Sequence, residues 1–198
     1  MQKTIFRFVC SFLFTTLLVA SNKDNRNSFI SLSMGISKFD LNEKDISGNL
    51  TLNNYPKDAG ATYGVGLGYY LHENFFVTLN YERTNLENID FHTFLTSVNY
   101  KFNHMKNFSP FVGVLVGYNK MVWDTLPIDT KISKASSSSP VFGIQIGNDT
   151  SLEKGLDFYI FYRYLWIDNS TRIKITPDEK EISHKHEHSL NLGVKFSF

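Results

Sequence analysis

The sequence predicts an all-β fold: an eight-stranded antiparallel up-and-down transmembrane β-barrel behind an N-terminal signal peptide. Three observations predict it. They are the strict alternation of the last strand, the layout of the first residues, and connections that alternate between short and long.

At the C-terminus, Leu190, Leu192, Val194, Phe196 and Phe198 fall on one side of a strand, and Asn191, Gly193, Lys195 and Ser197 on the other. Side chains of a β-strand alternate with period 2, so one face is apolar and the other polar or small. A closing barrel strand in lipid has this pattern, with apolar groups outward and polar ones in the lumen. On a soluble edge strand it would invite aggregation.

At the other end, Lys3 and Arg7 precede the apolar run Phe8–Phe14, and Leu17–Leu18–Val19 lead to the small residues Ala20 and Ser21. A charged start, a short apolar stretch and small residues at a cut site make up a secretory signal. The apolar part falls short of the roughly 20 residues that a spanning helix needs. The expected organisation is therefore a signal peptide over 1–21 and a barrel domain over 22–198, with cleavage after Ala20 or Ser21. Cys10, the sole cysteine, lies inside the signal and lacks a lipoprotein context, so neither disulfides nor thiol chemistry is expected in the mature chain.

Composition narrows the class. Aromatic residues make up 15% of the chain, yet the mean hydropathy is only −0.20. A barrel reconciles the two, because only every second strand residue meets lipid. Loss of Lys3 and Arg7 with the signal leaves a nearly neutral chain, which gives no reason to expect a nucleic-acid partner.

Alternation marks eight strands: Ser28–Lys38, Ala61–Leu71, Phe75–Glu82, Phe91–Phe102, Pro110–Lys120, Val141–Asn148, Leu156–Ile167 and the C-terminal segment. None of these runs has the i, i+3, i+4 spacing of a helix. Short links around Glu73, Lys106 and Lys154 alternate with longer ones over 39–60, 83–90, 121–140 and 168–187. Short periplasmic turns and long exterior loops are the asymmetry of an outer-membrane barrel. A lipocalin-like soluble barrel also has eight strands, but its interior is apolar. Here the face carrying Gly, Asn, Ser, Gln, Lys and Arg must be the inside.

Several features resemble a known family. The signal segment, the strand Pro110-Phe111-Val112-Gly113-Val114-Leu115-Val116-Gly117-Tyr118, the Tyr162-Arg163-Tyr164 strand and the terminal Phe198 resemble the small eight-stranded OmpA/OmpX-type outer-membrane barrels. More loosely, they resemble the broad family of outer-membrane surface antigens. The resemblance implies location in the bacterial outer membrane, contact with its lipid and lipopolysaccharide, and insertion by the barrel assembly machinery, which would read Phe196 and Phe198. It implies a structural or surface-interaction role of the adhesion or antigen kind, without enzymatic activity and without a cofactor. Two alternatives stay open: a lipid A- or phospholipid-modifying enzyme, and a narrow solute channel.

Candidate site residues follow from parity. Gly64, Gly66, Gly68, Gly113, Gly117, Gly143, Gly147 and Gly193 fall on the inward side, where an eight-stranded lumen has little spare room. Glu82 and Arg163 lie inward at similar heights and are expected to pair in a polar core that closes the lumen. Asp157 and Lys195 are expected to form a second pair nearer the periplasm. Outward aromatics near both strand ends suit two interfacial girdles. His184, His186 and His188 would share one face of an extended segment, but a metal needs three or four ligands with supporting groups, and a solvated loop start is the expectation. Ser136–Ser139 reads as a flexible loop tip. His188 and Ser189 are adjacent, so their side chains point to opposite sides of the sheet and cannot act as a nucleophile and its base.

Overall fold

The computed structural model describes residues 27–48, 57–102, 108–123, 136–175 and 178–198; the expected signal segment over 1–21 lies outside them. Eight strands follow in chain order: β1 (Ser28–Ser47), β2 (Ala59–His72), β3 (Phe75–Asn85), β4 (Ile89–Lys101), β5 (Ser109–Trp123), β6 (Ser136–Glu153), β7 (Leu156–Ile175) and β8 (Asp178–Ser197). Each pairs antiparallel with its neighbours, and β1 closes onto β8. At the seam, the Phe198 and Ser28 amides donate to each other's carbonyls at 2.8 and 3.2 Å.

Every segment marked by alternation is a strand, but most run further than their apolar pattern. Ser136–Ser139 open β6 rather than forming a loop tip, and the histidine triplet lies within β8. The outer link between β3 and β4 is a tight turn, closed by a Leu86 amide bond to the Ile89 carbonyl at 2.8 Å, with Glu87 at a φ of 70°. The stretches over 39–47, 168–175 and 178–187, expected as loops, continue β1, β7 and β8.

The outer wall carries the lipid-facing belt. Leu32, Met34, Ile36, Val112, Val114, Val116, Ile144, Ile146, Leu190 and Leu192 are all exposed, as alternation requires. Outward apolar positions run from Phe108, just before β5, along that strand to Tyr118. At ~3.3 Å per residue and a tilt of ~45°, that is a band of ~23 Å, the height of a barrel's apolar zone. Rings gather near both borders: Phe75 packs edge-on against Tyr100 at 5.0 Å below, and Tyr164 against Trp166 at 4.6 Å above. Beyond the upper border the same faces turn polar, at Lys38, Arg83, Lys120 and Ser138. No described helix is long and apolar enough to cross a membrane; the crossing here is made by strands.

Past that border β1, β8 and β7 continue as a three-stranded sheet, paired as far as Ser47, Glu179 and Ile175. The nine residue steps from Lys38 to Ser47 rise ~20 Å at the same pitch and tilt. Registers shift where this sheet leaves the barrel: β1 pairs Phe39 with Glu187 and then Leu41 with His184, and β7 pairs Trp166 with His186 and then Asn169 with His184. Lys185 and His186 are consecutive non-buried residues there, a β-bulge between the buried His184 and Glu187.

Candidate functional site: the lumen and the outer rim

The interior is filled in layers. Lowest is an aromatic ring of Phe29, Phe76, Phe111 and Tyr159, contributed by β1, β3, β5 and β7, with Phe161 beside it. Gly68 faces this ring; a Cβ there would collide with the Phe29 phenyl group. The Lys195 ammonium lies 4.6 to 5.2 Å from the four ring centroids. It donates to both Asp149 oxygens at 2.7 and 2.8 Å. The aromatic faces and the carboxylate together replace the water that the cation gives up.

This corrects the second expected pair. Asp157 stands opposite Lys195 in register, but it is half-exposed near the lower rim. The Lys195 partner is Asp149, on β6, which is 2% exposed. Inside so narrow a barrel a long side chain reaches across the lumen more readily than it folds back along its own wall.

The middle layer is polar. Arg163 meets Glu82, with Nη1 2.5 Å from both carboxylate oxygens. Arg163 Nε and Nη2 donate to Gln145 Oε1 at 3.3 and 3.2 Å, and Gln145 Nε2 donates to Asn99 Oδ1 at 2.5 Å. Asn99 Nδ2 donates to the Ser97 hydroxyl at 2.7 Å, and Ser97 is 2.6 Å from Thr78 Oγ1. A second chain links Glu187, Ser37, Thr62 and Thr84 at 2.7, 2.6 and 2.8 Å, spanning β8, β1, β2 and β3. Buried charges and amides are stable only when paired in this way. The cavity left beside Arg163, Glu82 and Lys195 is about 30 Å³, room for about one water molecule.

Above lies an apolar plug: Phe39, Leu86, Ile89, Phe91, Leu95, Leu115, Met121, Trp123, Val141, Leu165, Ile167 and Ile182. Phe39 stacks on Phe91 at 4.2 Å, and Trp123 Nε1 donates to Thr171 Oγ1 at 2.9 Å. Closure by polar side chains is therefore only the central part of the seal, because apolar clusters close the lumen on both sides of it. Half of the plug residues, Phe39, Leu86, Ile89, Met121, Trp123 and Ile182, lie in stretches that the sequence offered as loops.

The three histidines do not share a face. His184 is fully buried in the plug, edge-on to Phe91 at 5.3 Å, with neither ring nitrogen hydrogen-bonded. Burial pushes its imidazole down to about 4. His186 stacks on Tyr164 at 5.6 Å, and His188 Nδ1 is 2.7 Å from the Tyr162 hydroxyl, both on the outer wall. Among the described residues no group of three or more His, Cys, Asp or Glu side chains is placed to hold a metal. His188 faces out while Ser189 is buried in the lumen, so the adjacent pair is split by the wall.

Asp149, Gln145 and Asn99 complete the core and were not singled out from sequence. The inward alternation Gly143, Gln145, Gly147 points to Asp149 once β6 is carried past Asn148.

Residues 15–102 match the family model described as outer membrane protein beta-barrel domain. No curated protein matches the chain. Among solved structures, the fold is similar to Neisserial surface protein A, at 16% identity over 86% of this chain and 97% of that one, with a TM-score of 0.62. It is also similar to the outer membrane protein OprG from Pseudomonas aeruginosa, at 14% identity over 86% and 96%, with a TM-score of 0.54. The outer membrane protein AlkL, solved in lipid bilayers, is similar at 16% identity over 90% and 93%, with a TM-score of 0.52. The closed eight-stranded sheet with its apolar belt is the fold of a bacterial outer-membrane β-barrel, and the match over 15–102 agrees with that location.

Proposed function

We propose that this barrel serves a structural and surface-interaction role, presenting the β1–β8–β7 sheet to the exterior. The observation that carries the reading is the contrast between a filled lumen and a sheet continued ~20 Å beyond the apolar belt. A channel needs a water path, and here two apolar layers and a paired ionic layer occupy it. A platform needs rigidity and a polar surface. Lys180 lies 3.4 Å from both Glu43 and Asp45, and Arg172 lies 3.3 Å from Glu181, so charged pairs cross-link its strands.

Insertion by the barrel assembly machinery through Phe196 and Phe198, and contact with lipopolysaccharide, belong to the same reading. The terminal apolar alternation supports the first, and the polar rim above the belt supports the second.

Replacing residues 170–181 with a two-residue turn tests the role. Outer-membrane level and heat-modifiable migration in SDS gels should persist, while recognition of intact cells by antibodies raised against the folded protein should fall sharply. Single-channel conductance from the intact protein in planar bilayers would overturn the reading in favour of a channel. A changed lipid A mass spectrum in cells lacking the gene would overturn it in favour of an enzyme.

A further inference from the structure

The exterior sheet meets the barrel along a line of register changes, and His184 stands on that line. β1 pairs Phe39 with Glu187 and then Leu41 with His184, and β7 pairs Trp166 with His186 and then Asn169 with His184. Bulges of this kind bend a strand and interrupt its ladder. At the same level the ladders to the rest of the wall end, at Lys38 with Ala59 and at Phe142 with Trp166. Above it the sheet is held together by its own pairs, since Lys180 bridges to Glu43 and Asp45, and Arg172 to Glu181. Among the described residues its hold on β5 and β6 is by side chains instead. Thr171 Oγ1 accepts from Trp123 Nε1 at 2.9 Å, and Asn169 Nδ2 donates to Asn119 Oδ1 at 2.5 Å. The Asp168 and Ser170 amides donate to the Ser139 and Ser137 hydroxyls at 3.2 Å, and Leu41 and Ile182 pack on the plug.

His184 pins this junction. It is fully buried, and neither ring nitrogen is hydrogen-bonded. Among the described residues no element packed round it brings a counter-charge. β1 presents Phe39 and Leu41, with Glu43 a step higher and engaged by Lys180. β4 presents Phe91, while Asp90 beside it is held by the exposed Arg83 and Asn85. β5 and β6 supply apolar plug groups, and β7 presents Asn169. On β8 itself Ile182 lies above and Glu187 below, where the Ser37 hydroxyl donates to Glu187 Oε1 at 2.7 Å. A protonated ring would be a lone charge in an apolar core, so burial pushes the imidazole down to about 4. Burial acts on Glu187 in the opposite sense and pushes its carboxyl up, so acid opposes any opening that wets Glu187.

We propose that the exterior sheet is an acid-released flap: protonation of His184 frees it to swing off the plug about the bulge, while Glu187 and the barrel below stay in place. Acid favours the opened form because the ring gains its proton only there. The position of the hinge fixes the net sign, since the swing wets His184 and leaves Glu187 covered. Near neutrality the sheet offers its polar outer face; once released, it also uncovers the apolar inner face carrying Leu41 and Ile182. The flap regulates the surface described under the proposed function and rests on the exterior placement of that sheet.

Met121, fully buried in the plug on β5, is the reporter position. Cys10 lies in the expected signal segment, so Met121→Cys supplies the one thiol of the processed chain. The folded protein in bilayer nanodiscs is labelled with dithiodipyridine between about pH 7 and about 4.5, and each rate is divided by that of free cysteine at the same pH. The quotient should rise about fiftyfold, the ratio set by an imidazole that titrates near 6.5 when wetted and near 4 when buried. Ser97→Cys, in the polar layer, should show no rise. His184→Leu and His184→Gln should each abolish the rise at Met121→Cys, and Glu187→Gln should leave it intact. A flat quotient, a rise that survives both histidine variants, a rise shared by Ser97→Cys, or a rise altered by Glu187→Gln would each overturn the flap. Labelling of Lys44→Cys on intact cells separates the two levels. If it fails, the exterior placement and the display role fail with it; if it succeeds while the quotient stays flat, only the flap falls.

Discussion

Lys195 donates to both carboxylate oxygens of Asp149 across the lumen, at 2.7 and 2.8 Å, and not to Asp157, its register partner on the adjacent strand. The ammonium is enclosed by rings from all four odd-numbered strands. The last strand of the chain thereby ties itself to β6 and, through aromatic faces, to β1, β3, β5 and β7.

Asp149→Asn should cost about 3–5 kcal/mol of stability, because it strands a buried ammonium. Asp157→Asn, at a half-exposed site, should change stability by no more than about 0.5 kcal/mol. Urea unfolding in lipid vesicles, followed by the loss of heat-modifiable migration, measures both. Equal effects would show that Asp157 shares the cation.

Removing the central ion pair should weaken the barrel without making it conduct. Glu82→Ala with Arg163→Ala empties the polar layer, but the plug around Trp123 and the ring around Lys195 still close it on either side. Planar-bilayer recordings of the double variant should stay at baseline. Sustained channel openings would mean that the ionic layer is the sole seal.

Outward positions should reject charge according to depth. Val114→Arg, in mid-belt, should cost about 2–4 kcal/mol in vesicles, and Ser138→Arg, above the border, about 0–1 kcal/mol. Asn80 is a poor comparison site, because Gly66 opposite it already leaves no space for a Cβ. Reversed costs for the two substitutions would move the membrane border.

His184 should make stability fall as pH drops from about 6.5 towards 4, against the opposite trend of the buried Glu187, whose carboxyl is pushed up to about 7. Unfolded His184 gains a proton near its ordinary value, whereas burial keeps the folded imidazole neutral down to about 4. Its contribution is therefore complete above 6.5, and about 3 kcal/mol is lost across that window. His184→Leu should flatten this part of the profile and leave neutral-pH stability equal or higher. An unchanged slope in equilibrium unfolding at several pH values would assign the dependence to other groups.

Phe198→Ser should lower outer-membrane levels in cells more than Phe196→Tyr, yet refold well in vesicles. The Phe198 backbone keeps its bonds to Ser28 whatever the side chain. Equal cellular levels of wild type and Phe198→Ser would remove the terminal ring from the assembly signal.

Where lipid faces one side of a strand, sequence was enough to find it. All eight strands were legible from alternation, because only the belt enforces a contrast between faces. Above the belt that contrast vanishes. Ser136–Ser139 offer serine to both sides, and Asp168-Asn169-Ser170-Thr171-Arg172 offer polar groups to both, yet both stretches are strands. The plug was hidden for the same reason, since Phe39, Met121, Trp123 and Ile182 lie in those unmarked extensions. Glu82 and Arg163 were legible through height and parity; the Lys195 partner was not, because lateral reach across a narrow lumen leaves no trace in spacing.

The bulge at Lys185 and His186 acts as a phase change along β8. Below it the odd-numbered residues Glu187, Ser189, Asn191 and Lys195 point inward; above it the even-numbered Ile182 and His184 do. Were the same residues to run on in unbroken alternation, the upper strand would turn inside out, with Ile182 and His184 sent to solvent and Glu181 and Ser183 into the plug. The bulge, by taking up one residue between lumen and exterior, thus decides which side of the exterior sheet is core and which is displayed.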